Sequence, residues 1–250
     1  MADTRDPGTP TAPPATVALT RDALRSGRIR ELVQQHGPSF KALSDAELAA
    51  SRASMFAETG APTDDVWLFG YGSLIWNPAI EFAEKRCATV RGLHRKFCLR
   101  THLGRGTPEQ PGLVLGLDQG GCCRGVVFRI PKDIAETELD IVWRREMVTL
   151  AYRPRWLKAE TAEGTVEAIG FVINRSHDRY CGGLPEDEVA ETIARAYGFL
   201  GPCCEYLFNT VEHLRDLDMP DAGLERLARR VTAKRAAGVR PALDAVARNA

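Results

Sequence analysis

Between residues 66 and 173 the chain repeats one pattern: a short run of apolar and β-branched positions, then turn residues. The runs lie at 66–69, 89–99, 113–117, 126–130, 149–157 and 166–173, and their length and β-branched content predict strands. The glycines and prolines of 104–112 and the pair Gly120-Gly121 predict turns between them. One segment, 132–146, breaks the series with a helical period. In it Leu139, Val142, Trp143 and Glu146 fall on one face at i, i+3, i+4 and i+7. After residue 173 the texture is helical. Val189, Ile193 and Tyr197 recur at every fourth position, as do Leu207 and Val211, and Leu224, Leu227 and Val231 line a further face. Strands first and helices last predict an α+β fold built on a mainly antiparallel, curved sheet.

The chain before residue 66 is different. Residues 1–16 are rich in Pro, Thr and Ala and hold too few large apolar groups to offset their ordering entropy, which predicts a disordered tail. Residues 17–65 read as a helical extension packed on the core. Leu24, Leu32 and Val33 follow a helical pattern, and Ser44 and Glu47 have the spacing of a capping box. A single domain is expected over 66–235, with a C-terminal tail over 236–250.

Composition narrows the function classes. An apolar fraction of 44% and a charged fraction of 26% are those of an ordinary globular protein. Thirty-three basic residues balance thirty-three acidic ones, so no global charge favours nucleic acid or an anionic membrane. The basic run Arg226, Arg229, Arg230, Lys234, Arg235 and Arg240 reads as a solvated helix face. No stretch approaches the ~20 apolar residues of a membrane span, and no signal-peptide pattern opens the chain. Seven cysteines, with two adjacent pairs and no CxxC spacing, predict reduced thiols in the cytoplasm rather than disulfides or zinc ligands. Five histidines show no metal-ligand spacing. No metal or cofactor is expected.

Two features carry candidate chemistry. In WLFGYGSLIWNP, 67–78, an apolar strand runs into two glycines flanking a tyrosine, then a serine. Glycines with φ > 0 there would turn several N–H groups toward one point, a nest for a carboxylate or phosphate. A plain tight turn uses the same residues. Nucleotide binding is disfavoured, because Ile75 stands where GxGxxG needs its third glycine and no Walker lysine follows. Ser73 likewise lies in no GxSxG elbow, being followed by Leu74 and Ile75. The other feature is Glu146. Its apolar helix face and the negative helix C-terminus both raise its pKa, which suits a general base near neutral pH. The alternative is a glutamate paired with a buried arginine, Arg144 or Arg145.

FGYGSLIW at 69–76, RGTPEQPGLVLGLD at 105–118, WRREM at 143–147, FVINRSHDRYCGGL at 171–184 and GPCCEYLFNTVEHL at 201–214 occur in an order that resembles the ChaC-type, glutathione-specific γ-glutamylcyclotransferases. The resemblance spans 66–231. It implies a small, curved, mainly antiparallel β-barrel wrapped by helices, with no cofactor and glutathione as substrate. It also implies that Glu146 is general base and then acid, and that the loop of Phe69, Gly70, Tyr71, Gly72, Ser73 and Leu74 holds the α-carboxylate and amino end of the γ-glutamyl group. Arg100, Arg105, Glu109 and Tyr180 are candidates for the cysteinylglycine half. Two alternatives stand beside it: a cyclotransferase for other γ-glutamyl amino acids or amines, and a non-enzymatic regulator of cation transport.

Overall fold

The computed structural model describes residues 18–36, 42–58 and 60–239; the tail expected over 1–16, and most of that over 236–250, lie outside them. Three helices open the chain: α1 (Arg21–Arg25), α2 (Arg28–His36) and α3 (Asp45–Ser54). The periodic stretch around Leu24 and Val33 is split because Gly27 takes φ 75°, a left-handed conformation that ends a helix. α3 begins in the capping box read from the sequence. The Ser44 Oγ accepts the Glu47 N–H at 3.2 Å, and Glu47 Oε2 accepts the Ser44 N–H at 2.8 Å. Leu24 and Leu48 are buried against the body of the protein.

The barrel follows: β1 (Val66–Gly70), β2 (Glu84–Thr101), β3 (Gly112–Ile130), helix α4 (Lys132–Glu146), β4 (Tyr152–Thr161) and β5 (Gly164–Ile173). The strand order is β1-β3-β2-β4-β5. β1 closes the ring by pairing parallel to β5, Trp67 with Ala168 and Leu68 with Ile169. The long ladders are antiparallel, so the mainly antiparallel barrel with helices outside is the architecture observed. Phe69, Phe128 and Phe171 fill the interior with under 2% exposure. Trp143 of α4 meets Phe171 edge-on at 5.2 Å, a favoured aromatic geometry.

One expectation is corrected here. Gly120-Gly121 is not a turn between two strands. It lies inside the single 19-residue strand β3. Arg91 pairs with Cys122 and Leu93 with Gln119, so Gly92 alone opposes Gly120 and Gly121. All three glycines have positive φ, 79°, 101° and 68°. That is a bulge, which bends and twists a long hairpin so that it can wrap into a barrel.

Helix α5 (Glu186–Arg195), the two-residue strands β6 (Tyr197–Gly198) and β7 (Gly201–Pro202), α6 (Cys203–Asp216) and α7 (Ala222–Ala236) complete the fold. Tyr197 leaves the helical face on which its spacing placed it and pairs with Pro202. Backbone approach forces this: a Cβ on Gly198 would stand 2.3 Å from the Leu103 carbonyl oxygen. Arg226, Arg229 and Arg230 of α7 are exposed, as expected of a solvated face, Arg240 lies outside the described residues, and ion pairs engage Arg226, Arg230 and Lys234. Arg226 Nε lies 3.0 Å from Glu186, and Lys234 Nζ lies 2.9 Å from Asp187. Among the described residues no helix is long and apolar enough to cross a membrane.

The junction of β1 and β3 generates a stability prediction. A Cβ on Gly125 would lie 2.4 Å from the Gly70 carbonyl oxygen and 2.8 Å from the Phe69 ring. Gly125→Ala should therefore lower unfolding stability by about 1–3 kcal/mol, the usual cost of overpacking. Gly183→Ala, where nothing lies within 4 Å, should stay within about 0.5 kcal/mol of wild type, as surface changes do. Chemical denaturation of both variants checks the difference.

Candidate active site

β1 ends at Gly70, paired with Val126, and the chain folds at once into a tight turn. Ile75 N–H donates to the Gly72 carbonyl and Asn77 N–H to that of Ser73, each at 2.9 Å. This turn, the end of α4, Tyr152 of β4 and Tyr206 of α6 surround one cavity of about 500 Å³, in the range of small-molecule sites. Tyr71, Gly72, Ser73, Leu74, Arg105 and Glu146 all line it. Phe69 points into the barrel core and is fully buried, and Gly70 sets where the turn starts. Arg100 is exposed on β2, 3.8 Å from Glu188, and Glu109 is exposed on the β2–β3 loop. Tyr180 donates its hydroxyl to Asp118 at 2.8 Å. None of these three lines the cavity.

The turn's glycines serve closeness rather than handedness. Neither Gly70 nor Gly72 is among the positive-φ residues, contrary to the expectation for a nest. A Cβ on Gly72 would stand 2.8 Å from the Tyr206 hydroxyl oxygen, and one on Gly70 would stand 3.0 Å from the Leu74 Cβ. The amides of Gly72, Ser73 and Leu74 donate to no other described residue. They stand at the head of a helical turn that lines the cavity, where such donors accept an anion.

Glu146 is the last residue of α4, and its side chain keeps 15% exposure toward the cavity. The paired-glutamate alternative is also realised, since Arg145 Nε lies 3.0 Å from Glu146 Oε1. Arg144 faces away, bonded to Asp140 at 2.6 Å and Asp45 at 2.9 Å. Arg145, only 4% exposed, also donates to Ser73 Oγ at 2.7 Å and to the carbonyls of Asn77 and Pro78. Burial raises the Glu146 carboxyl above its ordinary value, and the Arg145 charge only partly opposes it.

Three phenols share this environment: Tyr71, Tyr152 and Tyr206, each pushed up by burial and so neutral. Tyr71 donates to the Phe171 carbonyl at 2.9 Å and Tyr152 to that of Leu115 at 2.7 Å. Tyr206 packs edge-on against Phe97 and Trp76. Sequence reasoning missed Tyr152, Tyr206 and Trp76. The available signals were the six-residue step from Glu146 to Tyr152 and the place of Trp76 directly after the GYGSLI segment. Arg105, the second guanidinium in the cavity wall, is held by the Pro202 carbonyl at 3.1 Å and Glu205 at 3.4 Å. Among the described residues no three His, Cys, Asp or Glu side chains converge as a metal site.

Comparison with known proteins identifies the family. The sequence model of the ChaC-like protein family matches residues 66–234. A glutathione-specific γ-glutamylcyclotransferase of Escherichia coli (strain K12) is 43% identical over 215 residues, covering 84% of this chain and 90% of that protein. The human glutathione-specific γ-glutamylcyclotransferase 1 is 29% identical over 181 residues, 70% of this chain and 81% of its own. The crystal structure of a yeast γ-glutamylcyclotransferase specific to glutathione superposes with a TM-score of 0.64 at 21% identity, over 68% of this chain and 97% of that one, and so shares the fold. With the matched span covering residues 66–234 and the barrel fold shared, this chain belongs to the ChaC-like protein family.

Proposed function

We propose that this protein is a γ-glutamylcyclotransferase that converts glutathione to 5-oxoproline and cysteinylglycine. The observation that carries the reading is the convergence on one cavity of a desolvated carboxylate, Glu146, and the amides of Gly72, Ser73 and Leu74, which have no partner among the described residues. The relatives named above carry this activity in their names. In the proposed reaction the amides hold the substrate α-carboxylate and curl the γ-glutamyl group so that its α-amine meets its own γ-carbonyl. Much of the acceleration is then orientational. Glu146 takes a proton from the amine, the new C–N bond closes the five-membered lactam, and the bond to the cysteinyl nitrogen breaks. Glu146 returns the proton to that leaving amine. No water enters the products, and the proton moves only between the amines and Glu146. Arg105 supplies a second positive charge for the carboxylate of the leaving dipeptide.

The nearer alternative keeps this chemistry for other γ-glutamyl amino acids or amines. Parallel assays of glutathione, a γ-glutamyl amino acid and a γ-glutamylamine for 5-oxoproline release test it. Glutathione should be the preferred substrate by kcat/KM, and equal or better turnover of the others would overturn the glutathione assignment. A purely regulatory role has less to support it, since Arg226, Arg230 and Lys234 of α7 are paired with Glu186 and Asp187. All seven cysteines are free thiols, which fits a cytoplasmic protein.

Two further outcomes follow from the site. Glu146→Gln should reduce turnover by ~10²–10⁴, the range of general acid–base catalysis. It also strands part of the Arg145 charge, so unfolding stability should drop by about 1–3 kcal/mol. The base works only when ionised, and burial raises its pKa. Wild-type kcat/KM should therefore fall as pH drops through a value above the ~4.3 of a free glutamate. Glu146→Gln should lack that limb, and a pH profile of both proteins checks it.

The contact of Gly72 with Tyr206 gives the second. Gly72→Ala pushes a methyl against the Tyr206 oxygen and shifts the turn's donors, so activity should fall ~100-fold, as misplacement in a preorganised site does. Adding Tyr206→Phe removes that oxygen and should restore the unfolding midpoint that Gly72→Ala lowers. A double mutant no more stable than Gly72→Ala alone would mean that some other contact demands glycine there.

A further inference from the structure

The cavity has a wall outside the span that the family model matches. Ala18 and Leu19, from the stretch that precedes α1, line it together with the turn after β1. Leu19 is half-buried and packs on the main core. Its carbonyl accepts the Asn77 side-chain N–H at 3.0 Å, and the Asn77 carbonyl in turn accepts from Arg145. Leu19 is thus one residue removed from the guanidinium that pairs with Glu146.

The same stretch is fixed from its other side. Thr20 caps α1 by accepting the Ala23 N–H at 3.2 Å. Arg21 then grips both carboxylate oxygens of Glu138, with Nη2 to Oε1 at 2.5 Å. Glu138 is 1% exposed, accepts the Glu81 N–H at 2.9 Å as well, and lies on α4, eight residues or roughly 12 Å before Glu146. A buried carboxylate with its donors supplied by two distant segments costs too much to leave half-paired, so residues 19–21 are held in one place. The Escherichia coli relative aligns over more residues than lie between Val66 and the C-terminus, so it shares part of this extension.

We propose that residues 18–21 are a working wall of the substrate cavity, with Leu19 a specificity-determining contact that packs against the bound γ-glutamyl compound and closes that side to water. The inference rests on the function proposed above, and it adds that the N-terminal extension takes part in recognition. Leu19 is a binding contact rather than a catalytic residue. Its removal weakens substrate and transition state alike, which raises KM and leaves kcat.

The test compares Leu19→Ala and Leu19→Met in the full chain, reading KM and kcat for glutathione, the melting temperature, and the glutathione Kd by calorimetry with Glu146→Gln added to suppress turnover. Leu19→Ala should raise KM and Kd about tenfold, because alanine leaves substrate surface in water that the leucine side chain covers. Its kcat should stay within about twofold of wild type, and Leu19→Met should bind as wild type does. A lower melting temperature with KM and Kd unchanged would overturn the proposal, because Leu19 would then be packing alone. If the wild-type protein releases no 5-oxoproline, the proposed function fails, and the two Kd values still decide the wall: weaker binding by Leu19→Ala supports it and equal binding overturns it.

Discussion

The arrangement depends on one buried cation. The Arg145 guanidinium sits between the end of α4 and the turn after β1, joined to Glu146, Ser73 Oγ and the carbonyls of Asn77 and Pro78. Burial alone would make a guanidinium there costly, and this set of acceptors offsets the cost. Satisfying it forces two elements distant in sequence into one geometry. Glu146 and the turn proposed to bind the substrate carboxylate are therefore not independent features that happen to meet. The turn leaves this contact through Ala79 at φ 55°, a conformation costly for a residue with a Cβ, and the Arg145 bonds to Asn77 and Pro78 hold the chain just before it.

The rest of the fold presents these two elements to each other. The long β2–β3 hairpin, bent at its glycine bulge, wraps far enough for β1 to reach β5 and close the barrel. That closure fixes the end of β1. α4 is held at its middle by Arg21 on Glu138 and at its C-terminal end by Arg145 on the turn, while Trp143 plugs it into the barrel interior beside Phe171. With the helix clamped, burial of Glu146 is a property of the scaffold, and so is the raised carboxyl pKa that follows from it. Neutral, buried Tyr71, Tyr152 and Tyr206 complete an environment in which no other carboxylate lines the cavity among the described residues.

Much of this was legible in the sequence, for physical reasons that also explain the failures. The helix 132–146 has a clear period and both bounds agree with α4. The capping box at Ser44 is a local motif and forms as read. Gly120-Gly121 reads as a turn because turn and bulge use the same φ > 0 residues, and only the partner strand, with Gly92 opposite, distinguishes them. Tyr197 keeps helical spacing with Ile193, yet the helix ends because Gly198 must touch the Leu103 and Gly104 backbone. Which of Arg144 and Arg145 joins Glu146 turns on about 100° of helix rotation, and both neighbours are compatible with the pattern. Tyr152 and Tyr206 look like core residues, and they are; their cavity-facing edges follow from packing between elements far apart in the chain. Leu19 carries no motif at all, since its place is set by the side chains of Asn77 and Arg21.

The central claim is that the γ-glutamyl bond is broken by the substrate's own amine and not by water. Turnover of glutathione in ¹⁸O-enriched water, followed by mass spectrometry, addresses it directly. The account predicts unlabelled 5-oxoproline and an equal amount of cysteinylglycine. Glutamate carrying ¹⁸O in its γ-carboxylate would contradict it.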